Sequence, residues 1–269
     1  MNETLDPEAI MAEYIRNRGD IFSEWHVMAR YVPRTIVKLH DAAGYVLQNA
    51  NKTTPDQELS LAFRELVALC HLSAKGNARF AANHVRRLYR TGVTNLVMFE
   101  AIEALSAVIG HSTIAHVADA IQLANDPDYP YGEMPEGGEP AELTRFPECD
   151  IGWDTPAGHV PDVGTSDVWQ YCEQIDPELA RRLTAYANHC LNNRYEGERV
   201  LSPGARHLLA FTGLCTRGLL DMAVERARLV KSYGLSRRQI LEAVSVTHNM
   251  TGSVSVEIGL RALMLAEEA

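Results

Sequence analysis

The feature that most constrains this chain is a self-similarity at a fixed offset. Sliding the 269-residue sequence by 142 positions lays 59–124 over 201–266 without a gap. Leu59-Ser60 meets Leu201-Ser202, Arg64 meets Arg206, and Leu66 meets Leu208. Glu100-Ala101 meets Glu242-Ala243, and Leu123-Ala124 meets Leu265-Ala266. Gly76, Gly92 and Gly110 meet Gly218, Gly234 and Gly252, so the same turns recur in one register. The chain is read as a tandem duplication.

Each copy reads as helices. In the first, Leu59-Ser60 opens a helix over 59–73 with Ser60 as N-cap, and a Gly-containing turn follows. A second helix spans 78–90 and stops at Gly92. The run VTNLVMFEAIEAL starts a third, with Thr94 as N-cap and apolar residues at helical spacing. A break near Gly110 precedes a fourth over 112–124. The segments 22–49 and 167–193 are amphipathic and helical too, and no strand pattern emerges. The expected class is all-α, in keeping with 46% hydrophobic but only 7% aromatic residues.

Three stretches organise the chain: 1–125, containing the first copy; a connecting segment, 126–166, rich in Pro, Gly and Asp; and 167–269, with the second copy. The connection is too long for a simple loop, and its Tyr129, Tyr131, Phe146, Ile151 and Trp153 indicate that it packs onto the protein. A formal charge of -10 without a Lys/Arg-rich run argues against nucleic acid. The opening MNETLDPEAIMAEY has no signal-peptide pattern and no apolar run is long enough to span a membrane, so a cytoplasmic protein is expected. The five cysteines, Cys70, Cys149, Cys172, Cys190 and Cys215, are widely spaced and read as reduced thiols.

Two polar residues fall on apolar faces. Glu65 lies among Ala62, Leu66 and Leu69; His84 lies among Phe80, Ala81, Val85 and Leu88. Adjacent antiparallel helices bring these faces together. A buried carboxylate needs a partner, and an imidazole can be one. Such a pair suits general acid–base chemistry, and it equally suits a structural hydrogen bond between helices. In the second copy the two positions hold His207 and Arg226, so the scaffold recurs while the pair does not.

The stretch LSLAFRELVALCHLSAKGNARFAANHVRRLYRTGVTNLVMFEAIEAL resembles the carboxymuconolactone decarboxylase-like superfamily, which includes alkylhydroperoxidase D. Arg64-Glu65-Leu66, His84, Gly92-Val93-Thr94 and the Glu100-Ala101 helix carry the likeness, which is good over 59–124 and weaker over 201–266. The resemblance implies an all-α fold, a homo-oligomer, here a trimer with pseudo-sixfold arrangement, and either lactone-acid decarboxylation or thiol-dependent peroxide reduction. Glu65 and His84 match its Glu and His. Its two cysteines fall on Asn77 and Phe80 here, and on Leu219 and Met222 in the second copy. Without a thiol pair, peroxide reduction loses its chemistry.

The reading that follows is a lyase without cofactor or metal. It decarboxylates a small oxidised carboxylic acid or lactone, with His84 delivering a proton and Glu65 orienting it. An isomerase or hydrolase using the same pair, and a non-catalytic oligomeric binding protein, are the alternatives. Asn77 and Phe80, at the site positions, and Arg87, one turn from His84, are candidate substrate contacts. Phe80 also reads as core, Asn77 as a helix cap and Arg87 as a solvated surface residue. Arg226 on an apolar face calls for a carboxylate. His71 is expected at the surface or an interface, His248 in a packed or capping role, and Trp25-His26 at a pocket floor or an interface. His111 and His116 sit at a spacing that suits a metal poorly.

Overall fold

A computed structural model describes residues 5–18, 22–47, 57–154, 167–192 and 199–268. Among these there are 13 α-helices and no strand, so the all-α expectation holds. Three helices come first: α1 (Pro7–Arg18), α2 (Ser23–Tyr31) and α3 (Pro33–Leu47). A four-helix unit follows, with α4 (Leu61–Ala74), α5 (Ala78–Arg90), α6 (Asn95–Ile109) and α7 (Ser112–Ala124). After the connection come α8 (Asp167–Ile175) and α9 (Pro177–Asn192). A second four-helix unit closes the chain with α10 (Pro203–Thr216), α11 (Leu220–Ser232), α12 (Arg237–Thr251) and α13 (Ser253–Glu267).

Local chemistry sets the helix ends. The Ser60 hydroxyl accepts from the Phe63 N–H at 3.1 Å, and Ser202 does the same for Ala205. The first helix of the unit therefore starts at Leu61, two residues later than expected. Thr94 stands at the N-cap of α6 but its side chain makes no capping bond. The amphipathic stretches 22–49 and 167–193 are each broken by a proline. Pro33 and Pro177 open new helices because the ring lacks the N–H needed to continue the previous one. Gly92 takes φ +79°, and Thr144 occupies the space where a Cβ would stand.

The two units interlock rather than sit side by side. Helix α6 packs on α10, and α12 packs on α4, so each unit's third helix covers the other's first. Gly213 permits the close approach of α10 to α6, because a side chain there would meet Leu105 and Val108. Phe63, Leu66, Leu69, Leu105, Phe211 and Val246 are fully buried in one continuous core. Apolar burial of this kind is the main stabilising contribution.

The seam is tied by carboxylates. Glu100 accepts the N–H groups of Val200 and Leu201 at 2.7–2.9 Å. Glu242 accepts those of Glu58 and Leu59 at 2.8–3.2 Å. The fully buried Glu148, from the connection, accepts both the N–H and the hydroxyl of Ser60, at 2.8 and 2.6 Å. Its backbone carbonyl accepts the Ser202 hydroxyl at 2.8 Å.

The described part of the connection, 126–154, packs onto the protein. Tyr129 and Phe146 are buried, and Tyr131, Ile151 and Trp153 are partly so. Buried Arg86 organises its start. The guanidinium donates to the carbonyls of Ala124, Asp126, Tyr129, Tyr131 and Gly132 at 2.8–3.3 Å. Residues 155–166, the rest of the expected connection, lie outside the described residues.

Candidate functional site

Helices α4 and α5 run antiparallel through a short turn, which brings Glu65 against His84. The Glu65 carboxylate meets His84 Nδ1 at 2.5 Å with Oε2, and Arg87 Nη1 at 3.2 Å with Oε1. The carboxylate is sealed, with 2% of its side chain exposed; His84 keeps 11% and Arg87 13%. Glu65 is therefore a buried hinge between two groups that reach open space. With Nδ1 committed to Glu65, the tautomer and ring orientation of His84 are fixed, and Nε2 is the nitrogen left for other chemistry.

That open space is a cavity of about 200 Å³. His84, Arg87, Phe80 and Asn83 line it from α5. Leu39, His40, Ala43 and Leu47 of α3 face them, with Tyr14, Phe22 and Trp25 from the N-terminal helices closing the far side. Asn249 and Met250, at the end of α12, complete the wall. The second unit thus contributes to the cavity of the first. Two aromatic groups lie along it: Phe22 on Phe80 with ring centroids 4.2 Å apart, and Tyr14 between Trp25 and His40. The side chains of Asn83 and Asn249 each keep a buried polar atom, Oδ1 and Nδ2, without a hydrogen-bond partner among the described residues.

The sequence-derived candidates divide. Glu65 and His84 meet, Arg87 joins them, and Phe80 lines the cavity. Arg87 is a bonded, mostly buried residue rather than a solvated one. Asn77 does not line the cavity; its side chain accepts from the Phe80 N–H at 3.2 Å and caps α5. Trp25 lines the cavity while His26 is exposed. His71 is buried within the chain, at the seam between the units, where its Nε2 meets the Thr212 hydroxyl at 2.9 Å. His248 is exposed, and only its backbone carbonyl serves the turn, accepting from Gly252 at 2.9 Å. His116 Nδ1 lies 3.9 Å from Asp119, with both side chains well exposed. His40, Asn83 and Asn249 escaped sequence reading, because nothing in the local pattern distinguishes a cavity-facing side chain from a packed one.

At the corresponding place in the second unit, Arg226 bonds to His207 Nδ1. The His207 Nε2 meets Asn192 Oδ1 at 2.7 Å, and its ring stacks on Tyr233. Arg226 therefore turns to an imidazole rather than to the carboxylate expected for it. Burial lowers its pKa to about 10. Among the described residues, no cysteine lines the cavity. Cys70 is fully buried, and burial pushes its thiol pKa well above the usual range.

No protein-family model matches the chain, and no curated protein does. Among solved structures, it resembles one from Burkholderia xenovorans LB400 provisionally named a gamma-carboxymuconolactone decarboxylase subunit. The two are 16% identical with a TM-score of 0.57, covering 98% of this chain and 99% of that one. At this identity the likeness is one of fold: the chain shares the all-α fold of that protein.

Proposed function

We propose that this protein is a cofactor-independent lyase that decarboxylates a small oxidised carboxylic acid or lactone. The observation that supports the reading best is the Glu65–His84 contact at 2.5 Å with His84 on the wall of an otherwise largely apolar cavity. In such a cavity a substrate carboxylate loses hydration, which weakens the hold on its charge. The carbon–carbon bond to the carboxylate breaks, CO2 leaves, and the electron pair moves onto a conjugated oxygen as an enolate. His84, as imidazolium, gives its Nε2 proton to the carbanion carbon. Glu65 orients the ring, and Arg87 adds positive charge where the enolate forms.

The same reading takes 59–124 and 201–266 as copies of one unit, of which only the first keeps the Glu–His pair. It also includes a homotrimer. The absence of any buried residue on α8, with Val168, Tyr171 and Ile175 exposed, is consistent with a further surface packing there.

The test is CO2 release across small unsaturated acids and lactones. Glu65→Gln and His84→Ala should each lower turnover by about 10²–10⁴-fold, the usual contribution of a positioned proton donor, with helical circular dichroism unchanged. Unchanged turnover in both variants would sink the assignment. Ligand binding without any turnover would leave a binding protein.

A further inference from the structure

We infer that the cavity selects a planar ring compound with a single negative charge, an aromatic or conjugated monocarboxylate. The inference names the substrate class of the site proposed above and rests on that site being the functional one.

Charge comes first. Among the described residues, no Asp or Glu lines the cavity. Arg87 is its permanent cation, and His84 and His40 carry charge only once protonated; Arg87 and His84 are bonded to the same carboxylate, Glu65. Arg90, one turn further along α5, faces Glu133 at 3.7 Å. With Arg87 and one of the two imidazoles charged against Glu65, the wall offers one net positive charge to a ligand. One anionic group neutralises it. A second would find beyond these cations only polar side chains such as Asn249, a weaker exchange for its lost hydration.

Shape and surface set the rest. Phe80, His84 and Arg87 follow one another on a face of α5, and a rise of about 1.5 Å per residue spreads them over about 10 Å. Polarity thus grades from an aromatic end to a cationic end. Phe22 packs tilted against Phe80 at the first, and Trp25 and Tyr14 supply further flat walls. Aromatic walls favour a ring that can stack on them or meet them edge-on. A dry cavity of about 150 Å³ accommodates benzene. The volume of about 200 Å³ here leaves room for one ring and a small anionic group.

Calorimetric titration of the full chain near pH 6 tests this with four probes. Benzoate is the planar monoanion. Terephthalate adds a charge, benzamide removes it, and cyclohexanecarboxylate removes planarity. Benzoate should bind at least about tenfold more tightly than each of the others. Arg87→Gln should weaken benzoate by at least about tenfold, and Phe80→Leu by a smaller factor. The ligand class is overturned if benzoate does not bind, or if any of the other three binds within about threefold of it. The comparison among probes uses the unaltered protein, so it stands even if a variant fails to fold. Selective benzoate binding with no CO2 release from any acid keeps the ligand class and removes the lyase. CO2 release from dianionic acids alone does the reverse.

Discussion

Glu100 and Glu242, 142 residues apart in the chain, hold each other's halves of the molecule. Each carboxylate leaves its own four-helix unit and accepts two backbone N–H groups just ahead of the first helix of the other. The N–H groups at Glu58 and Leu59 and at Val200 and Leu201 stand at the same offset. The seam that results also shapes the cavity, since α12 carries Glu242 near its start and Asn249 and Met250 near its end.

Removing either carboxylate should therefore loosen the seam. Glu100→Ala and Glu242→Ala leave two backbone donors each without an acceptor, and a cost of about 1–3 kcal/mol is expected for each. Glu100→Gln, which keeps an acceptor oxygen, should lose less. Urea unfolding followed by circular dichroism measures this; full stability in both alanine variants would show that water replaces the clamp.

Acid should weaken the seam through His71. Burial, with Lys75 adding to it, lowers the His71 pKa from the ordinary 6.5 to about 3. The unfolded ring takes up a proton near pH 6.5 and the folded ring only near pH 3. The neutral ring's contribution is thus complete above pH 6.5 and is lost as pH falls from there toward 3. Urea unfolding at pH 7.5, 5.5 and 4.5 should show a steeper loss for the native chain than for His71→Gln. Equal slopes would place the acid sensitivity elsewhere.

Arg86 should be the anchor of the connecting segment. Its five carbonyl acceptors span Ala124 to Gly132, and its guanidinium lies 4.7 Å from the Tyr129 ring centre. Arg86→Met keeps the stem and removes the donors, at an expected cost of about 2–3 kcal/mol. Limited proteolysis should then cut within 126–132 far faster than in the native chain. An unchanged cleavage pattern would mean that the aromatic side chains alone hold the segment.

Thiol reagents should find little to react with. Cys70, Cys149, Cys190 and Cys215 are buried, and burial raises the thiol pKa of each, for Cys149 to about 11. Cys172, on α8, is only partly covered. Native labelling with a disulfide reagent should modify Cys172 first, the other four following only on unfolding. Rapid labelling of Cys70 would reopen thiol chemistry near the cavity.

The sequence by itself determined the helical class, the turns, the caps at Ser60 and Asn77 and the meeting of Glu65 with His84. These depend on short-range rules: apolar periodicity, glycine at positive φ, and neighbouring helices joined by a tight turn. The offset of 142 marked Glu100 and Glu242 as equivalent without revealing what they hold, because a carboxylate's distant acceptor role leaves no local trace. The tertiary structure alone decided that Arg87 turns inward, that His71 lies at the seam, and that Asn77 stays out of the cavity. It also brought Tyr14, Phe22, His40 and Asn249 around His84, from segments between 44 and 165 residues away. Long-range packing chooses which side chains bound an empty volume, and that choice depends on how whole helices cross rather than on any spacing within one of them.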